Sequence, residues 1–74
     1  MSNYRWKSPM TPKEVIRELN RNDWDFVSQK GSHKKYRKNG INCIVADHGN
    51  NNIPTGTLNS IKKSVSLAES KGEK

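Results

Sequence analysis

Asn39-Gly40 constrains this chain more than any other pair of residues in it. An Asn-Gly pair supplies the two positive φ angles of a type I′ turn, the tight loop that joins antiparallel strands. The flanking runs suit that role, with His33 to Lys38 before the turn and Ile41 to Ala46 after it. A lone hairpin is marginal in water and needs a third strand or a helix to pack on. Both are present. Trp24-Asp25-Phe26-Val27-Ser28 is β-prone, with Trp24 and Phe26 on one face, and Lys30-Gly31 makes a turn into the next strand.

Helices flank the strands. Thr11-Pro12-Lys13-Glu14 is a helix start: Thr11 fits the N-cap, Pro12 the first helical position, and Glu14 completes a capping box. Val15, Ile16 and Leu19 form its apolar stripe, and the helix ends near Asn20 to Asn22. After a polar loop from Asp47 to Thr55, Thr57-Leu58 opens a second helix. Its stripe is Leu58, Ile61, Val65 and Ala68. The order α-β-β-β-α predicts an α+β fold, a three-stranded antiparallel sheet with two helices on one face. With 74 residues the chain is one domain, expected over 11–70. Residues 1–10 read as a flexible arm, from which Tyr4 and Trp6 can pack onto the body, and residues 71–74 as a frayed tail.

The charge is unevenly placed. Basic residues number 14 and acidic ones 7. Residues 28–63 carry Lys30, Lys34, Lys35, Arg37, Lys38, Lys62 and Lys63 against Asp47 alone. A focused basic face attracts a polyanion, and nucleic acid is the first candidate. A solvated surface that keeps a small protein soluble is the competing explanation. Neither a membrane span nor a basic amphipathic helix with a large apolar face is present, so no membrane partner is expected. The single cysteine, Cys43, excludes an internal disulfide and sits among Ile41, Ile44 and Val45 as a buried, inert thiol. A reducing cytoplasm is the expected location. No metal site is expected, because two histidines 15 positions apart and few acids do not make a ligand set. No cofactor motif is present.

Three kinds of chemistry meet between Gly31 and Lys38. Gly31 permits a tight bend, His33 is of the side-chain type suited to proton transfer, and Lys34, Lys35, Arg37 and Lys38 can hold phosphates. Strand alternation puts His33, Lys35 and Arg37 on one face and Lys34, Tyr36 and Lys38 on the other. With helices on one side, Tyr36 points to the core and His33, Lys35 and Arg37 point outward. A histidine among cations suits metal-free RNA cleavage, in which the 2′-OH attacks the adjacent phosphorus. On chemistry alone, an exposed polar residue at a strand start explains His33 as well. His48, beside Asp47, is a candidate for a second catalytic role or for shaping its loop.

The residues Gly31-Ser32-His33-Lys34-Lys35-Tyr36, Asp47-His48-Gly49 and Ile53-Pro54-Thr55-Gly56-Thr57-Leu58-Asn59-Ser60-Ile61 resemble the HicA family of bacterial mRNA interferase toxins. The family pattern is a G-S-H-x-x-[FY] motif, a P-x-H-x element after the third strand, and a G-T-L-x-x-I start to the last helix. The likeness covers roughly residues 11–68. Ala46 stands where the family commonly has proline, and Asp47 where it commonly has a histidine or polar residue. The resemblance implies a double-stranded-RNA-binding-like fold and the toxin of a type II toxin–antitoxin system. It implies a metal-independent endoribonuclease acting on mRNA, with His33 as general acid or base, and a cognate HicB-type antitoxin. The RNA contacts expected around His33 are Lys30, Ser32, Lys34, Lys35, Arg37 and Lys38. The alternative is a non-catalytic RNA-binding module of the same fold. A DNA-binding regulator is disfavoured, because three strands separate the two helices.

Overall fold

The computed structural model describes residues 3–47 and 51–72. The elements are α1 (Pro12–Arg21), β1 (Asp25–Lys30), β2 (His33–Lys38), β3 (Ile41–Ala46) and α2 (Thr55–Gly72). The three strands form one antiparallel sheet in the order β1-β2-β3. This is the expected α+β arrangement.

Local chemistry sets each boundary. The Thr11 hydroxyl accepts from the Glu14 amide at 3.3 Å, and the Glu14 carboxylate accepts from the Thr11 amide at 2.9 Å, which closes the capping box. At the other end of α1, Asp23 turns into the left-handed region at φ 68°. The Trp24 amide then reaches back to the Leu19 carbonyl at 3.1 Å, the bond that ends a helix in a Schellman motif. Asn39 and Gly40 both have positive φ, as a type I′ turn requires. In the β1–β2 turn Gly31 has φ +60°, a position that a side chain strains.

α2 begins at Thr55, two residues before the expected Thr57-Leu58, because Pro54 already accepts the first helical bond from the Leu58 amide at 2.9 Å. It also runs on through Lys71 and Gly72, where fraying was expected. Asn39 holds that end: its Nδ2 donates to the Ala68 carbonyl at 2.8 Å. A Cβ at Gly72 would meet the same Asn39 side chain, which would have to swing away from its bond to Ala68.

The core lies between the helices and the sheet. It gathers Val15 and Leu19 of α1, Tyr36, Cys43 and Val45 of the sheet, and the Leu58, Ile61, Val65 and Ala68 stripe of α2. Both helices rest chiefly on β3. β1 therefore projects past them with all six residues exposed, and Phe26 stays 55% exposed although it packs edge-on against Tyr36. A bulge between Phe26 and Ser28 breaks the regularity of that free edge.

The segment expected to form a flexible arm is, over residues 3–10, laid across the helices. Met10 is fully buried, and its carbonyl accepts from the Ile53 amide at 2.8 Å. Tyr4 stacks on Trp6, and Lys62 sits over the Trp6 ring. The Tyr4 hydroxyl accepts from Trp24 Nε1 at 2.8 Å and donates to Glu69 Oε2 at 2.6 Å. The arm backbone also satisfies two buried polar side chains of α1 and its cap. The Arg5 amide donates to Glu18, and Asn3 exchanges bonds with Asn22. The physical reason for docking is that the two helices leave their aromatic and polar inner surface open, and the arm closes it.

Burial disfavours the Glu69 charge, but the bonds from Lys38 and Tyr4 outweigh that and hold the carboxyl below its ordinary value. Folding thus favours the charged form, so this stabilisation is complete above the unfolded value of 4.5 and is lost as the pH falls below it. Tyr4→Phe should cost about 1–2 kcal/mol in urea denaturation at neutral pH, because Trp24 Nε1 loses its acceptor. Glu69→Gln should flatten the loss of stability that the parent protein shows between neutral pH and about pH 3.

Candidate RNA-processing site

β2 reads His-Lys-Lys-Tyr-Arg-Lys and lies between the other two strands. Its register sorts these side chains by face, since residues directly opposite in antiparallel strands share a side of the sheet. His33 faces Lys30 and Ala46, Lys35 faces Ser28 and Ile44, and Arg37 faces Asp25 and Asn42. Tyr36 is buried under the helices, so this set occupies the opposite, uncovered face. His33, Lys30 and Arg37 are exposed and Lys35 is half-buried. Ile44 is 52% exposed beside Lys35. The cations Lys30 and Lys35 flank the His33 end of the face, while Asp25 offsets Arg37 at the other end. His33 therefore stands beside two lysines of the open face.

Lys34 and Lys38, also expected among the RNA contacts, lie off the face of His33. Both turn to the helix side, where carboxylates hold them. Lys34 Nζ lies 3.1 Å from Asp47 and Lys38 Nζ lies 2.7 Å from Glu69, with a second bond from Lys38 to the Asn22 carbonyl at 2.6 Å. The basic central stretch thus divides: Lys30, Lys35 and Arg37 lie on the open face, Lys34 and Lys38 anchor β2, Lys62 covers Trp6, and Lys63 is exposed on α2. Ser32 ends the β1–β2 turn, and its carbonyl accepts from the Asp47 amide at 2.8 Å. That bond draws the segment after β3 against the Gly31-Ser32-His33 turn. His48 lies outside the described residues. Among the described residues no group of three or more His, Cys, Asp or Glu side chains is placed to hold a metal ion. Cys43 is buried, and burial pushes its thiol up to about 11, which leaves it unreactive at neutral pH.

The HicA toxin family of bacterial toxin–antitoxin systems matches the sequence over residues 12–67, from the start of α1 to the last turns of α2. The chain belongs to the HicA toxin family. Comparison with individual curated proteins returns no match. Membership makes the protein a toxin and implies an antitoxin partner. In this HicA toxin no described helix is long and apolar enough to cross a membrane. The docked arm, residues 3–10, precedes the matched region.

Sequence reasoning missed what holds Lys34 and Lys38, because Asp47 and Glu69 are 13 and 31 residues away from them. The alternation of β2 was the available signal that neither lysine shares the face of His33. Lys38→Ala should cost about 1–3 kcal/mol, since it strips Glu69 of its cation and leaves the Asn22 carbonyl without a donor. Arg37→Ala should change stability by no more than about 0.5 kcal/mol. Thermal denaturation of the two variants side by side checks the division of roles.

Proposed function

We propose that this toxin is a metal-independent endoribonuclease that cleaves mRNA on the uncovered face of its sheet. The observation that carries the reading is the register of β2, which sets His33 directly between Lys30 and Ala46 and in line with Lys35 and Arg37. The RNA 2′-oxygen attacks the adjacent phosphorus as its proton leaves to a base. The bond from phosphorus to the 5′-oxygen breaks as that oxygen gains a proton. The products are a 2′,3′-cyclic phosphate and a free 5′-hydroxyl. His33 serves one of the two proton transfers. Lys35 and Arg37 hold the phosphate and stabilise the charge that builds on its oxygens, and Lys30 steers the strand. Ser32 orders the turn that presents His33. Lys34 and Lys38 contribute by fixing β2, and His48 stands as a second candidate for proton transfer.

An active ribonuclease must be held off in its own cell. A HicB-type antitoxin that lays acidic or polar groups over His33, Lys35 and Arg37 blocks RNA sterically. The half-exposed Ile44 gives such a contact an apolar centre.

His33→Ala should abolish cleavage of single-stranded RNA while the protein remains folded, and the parent protein should cut in the presence of EDTA. RNA carrying 2′-O-methyl groups throughout should resist cutting, because the nucleophile is blocked. Cleavage by the folded alanine variant, or cutting of the methylated RNA, rejects the mechanism. Binding without any cleavage by the parent protein supports the non-catalytic RNA-binding alternative.

The double substitution Lys35→Glu with Arg37→Glu should weaken both RNA and antitoxin binding, chiefly by slowing association at low salt. Loss of RNA binding with unchanged antitoxin affinity would show that the antitoxin acts from another surface.

A further inference from the structure

At the end of the edge strand β3, on the helix side of the sheet, lies a groove of about 380 Å³ that the proposed mechanism does not use. It opens where the end of β3, the start of α1 and the start of α2 converge. Its depth is apolar: Pro12, Ile53 and Ile61 line it and are buried. Its rim carries the exposed amides of Asn51 and Asn52 and the Thr57 hydroxyl. None of its described lining residues is charged. Ala46 also lines it, and Ala46 is the register partner of His33 in the β2–β3 ladder. Ala46 therefore puts one wall of the groove on the strand next to the one that carries His33.

We propose that this groove is a nucleobase subsite that seats the base of the nucleotide whose 2′-OH attacks at His33. The inference deepens the ribonuclease reading and rests on it for the position of the phosphate. A base is flat, neutral and apolar on its faces, with hydrogen-bonding edges. That matches a groove with buried aliphatic walls and an amide and hydroxyl rim. A base and its own 3′-phosphate are joined through a single ribose. The base in the groove thus leaves the sugar over Ala46 and the phosphate beside His33 and Lys35. The small side chain of Ala46 keeps that passage open. Recognition of unstacked single-stranded RNA by splaying out one base follows directly.

The test is a titration of the full chain with each of the four nucleoside 3′-monophosphates and with methyl ribofuranoside 3-phosphate, which lacks the base. Methyl NMR signals report the groove at Ala46, Ile53, Thr57 and Ile61, and backbone amides report His33 and Lys35. At least one nucleotide should move both sets with a common dissociation constant, whereas the sugar phosphate should move only the second set. Thr57→Phe, which fills the groove rim away from the sugar, should weaken nucleotide binding tenfold or more and leave the sugar phosphate unaffected, which also shows that the variant is folded. Groove methyls that stay still with all four nucleotides, or that move equally with the sugar phosphate, overturn the proposal. Methyls that respond only to added antitoxin assign the groove to the partner protein and overturn it as well. If nucleotides bind as expected but RNA is never cut, the ribonuclease reading fails and the base subsite stands.

Discussion

The fold depends on neutralising half of a cationic strand. His-Lys-Lys-Tyr-Arg-Lys is an unusual central strand, because alternation must turn three of its six side chains toward the helices. One of them, Tyr36, is the core residue that fixes which face goes inward. The other two are Lys34 and Lys38, half-buried ammonium groups that folding partly strips of water. Asp47, just after β3, and Glu69, in the last turns of α2, offset that loss. The pairs add little by attraction alone. Their effect is to make the inward register of Tyr36 tolerable, and through it the outward register of His33, Lys35 and Arg37.

This pairing also tunes the open face. Lys34 and Lys38 turn inward and are each paired with a carboxylate, so the basic central stretch is thinner on the open face than its composition suggests. What remains is Lys30, Lys35 and Arg37, with Asp25 opposing the last of them. The cations of the open face thus stand in one short row with His33.

Much of the architecture is legible in local patterns. The I′ turn at Asn39-Gly40, the capping box at Thr11 and the stripe from Leu58 to Ala68 are each decided by neighbours within four residues, and all three appear as expected. The face of every β2 residue follows from alternation once Tyr36 is taken as core. Alternation does not reveal coverage: Phe26 shares the inward face with Tyr36, yet it is exposed because both helices rest on β3. The arm was harder still. Met10, Trp6 and Tyr4 have no periodicity, so their docking shows only when the aromatic and polar surface between the helices is assembled. The ion pairs of Lys34 and Lys38 and the groove beside Ala46 are invisible in sequence for the same reason. Each joins segments that only the fold brings together.

That convergence explains why the three stretches resembling the toxin family belong to one place. Gly31-Ser32-His33 forms the turn into β2, and the Asp47 amide bonds directly to the Ser32 carbonyl. The stretch from Ile53 to Ile61 starts α2 and lines the groove that Ala46 shares. The Ile53 amide is in turn held by the Met10 carbonyl at the end of the arm. A turn, a strand end and a helix start thus meet at one edge of the sheet, each tied to the next by a backbone hydrogen bond or a common wall. Backbone ties of this kind hold geometry, and around them stand His33 and Lys35 on the open face and Thr57 and the asparagine amides on the groove rim. In a domain of 74 residues that must keep most of its apolar surface for its core, one such corner is an economical place to join a cationic histidine face to an uncharged cleft.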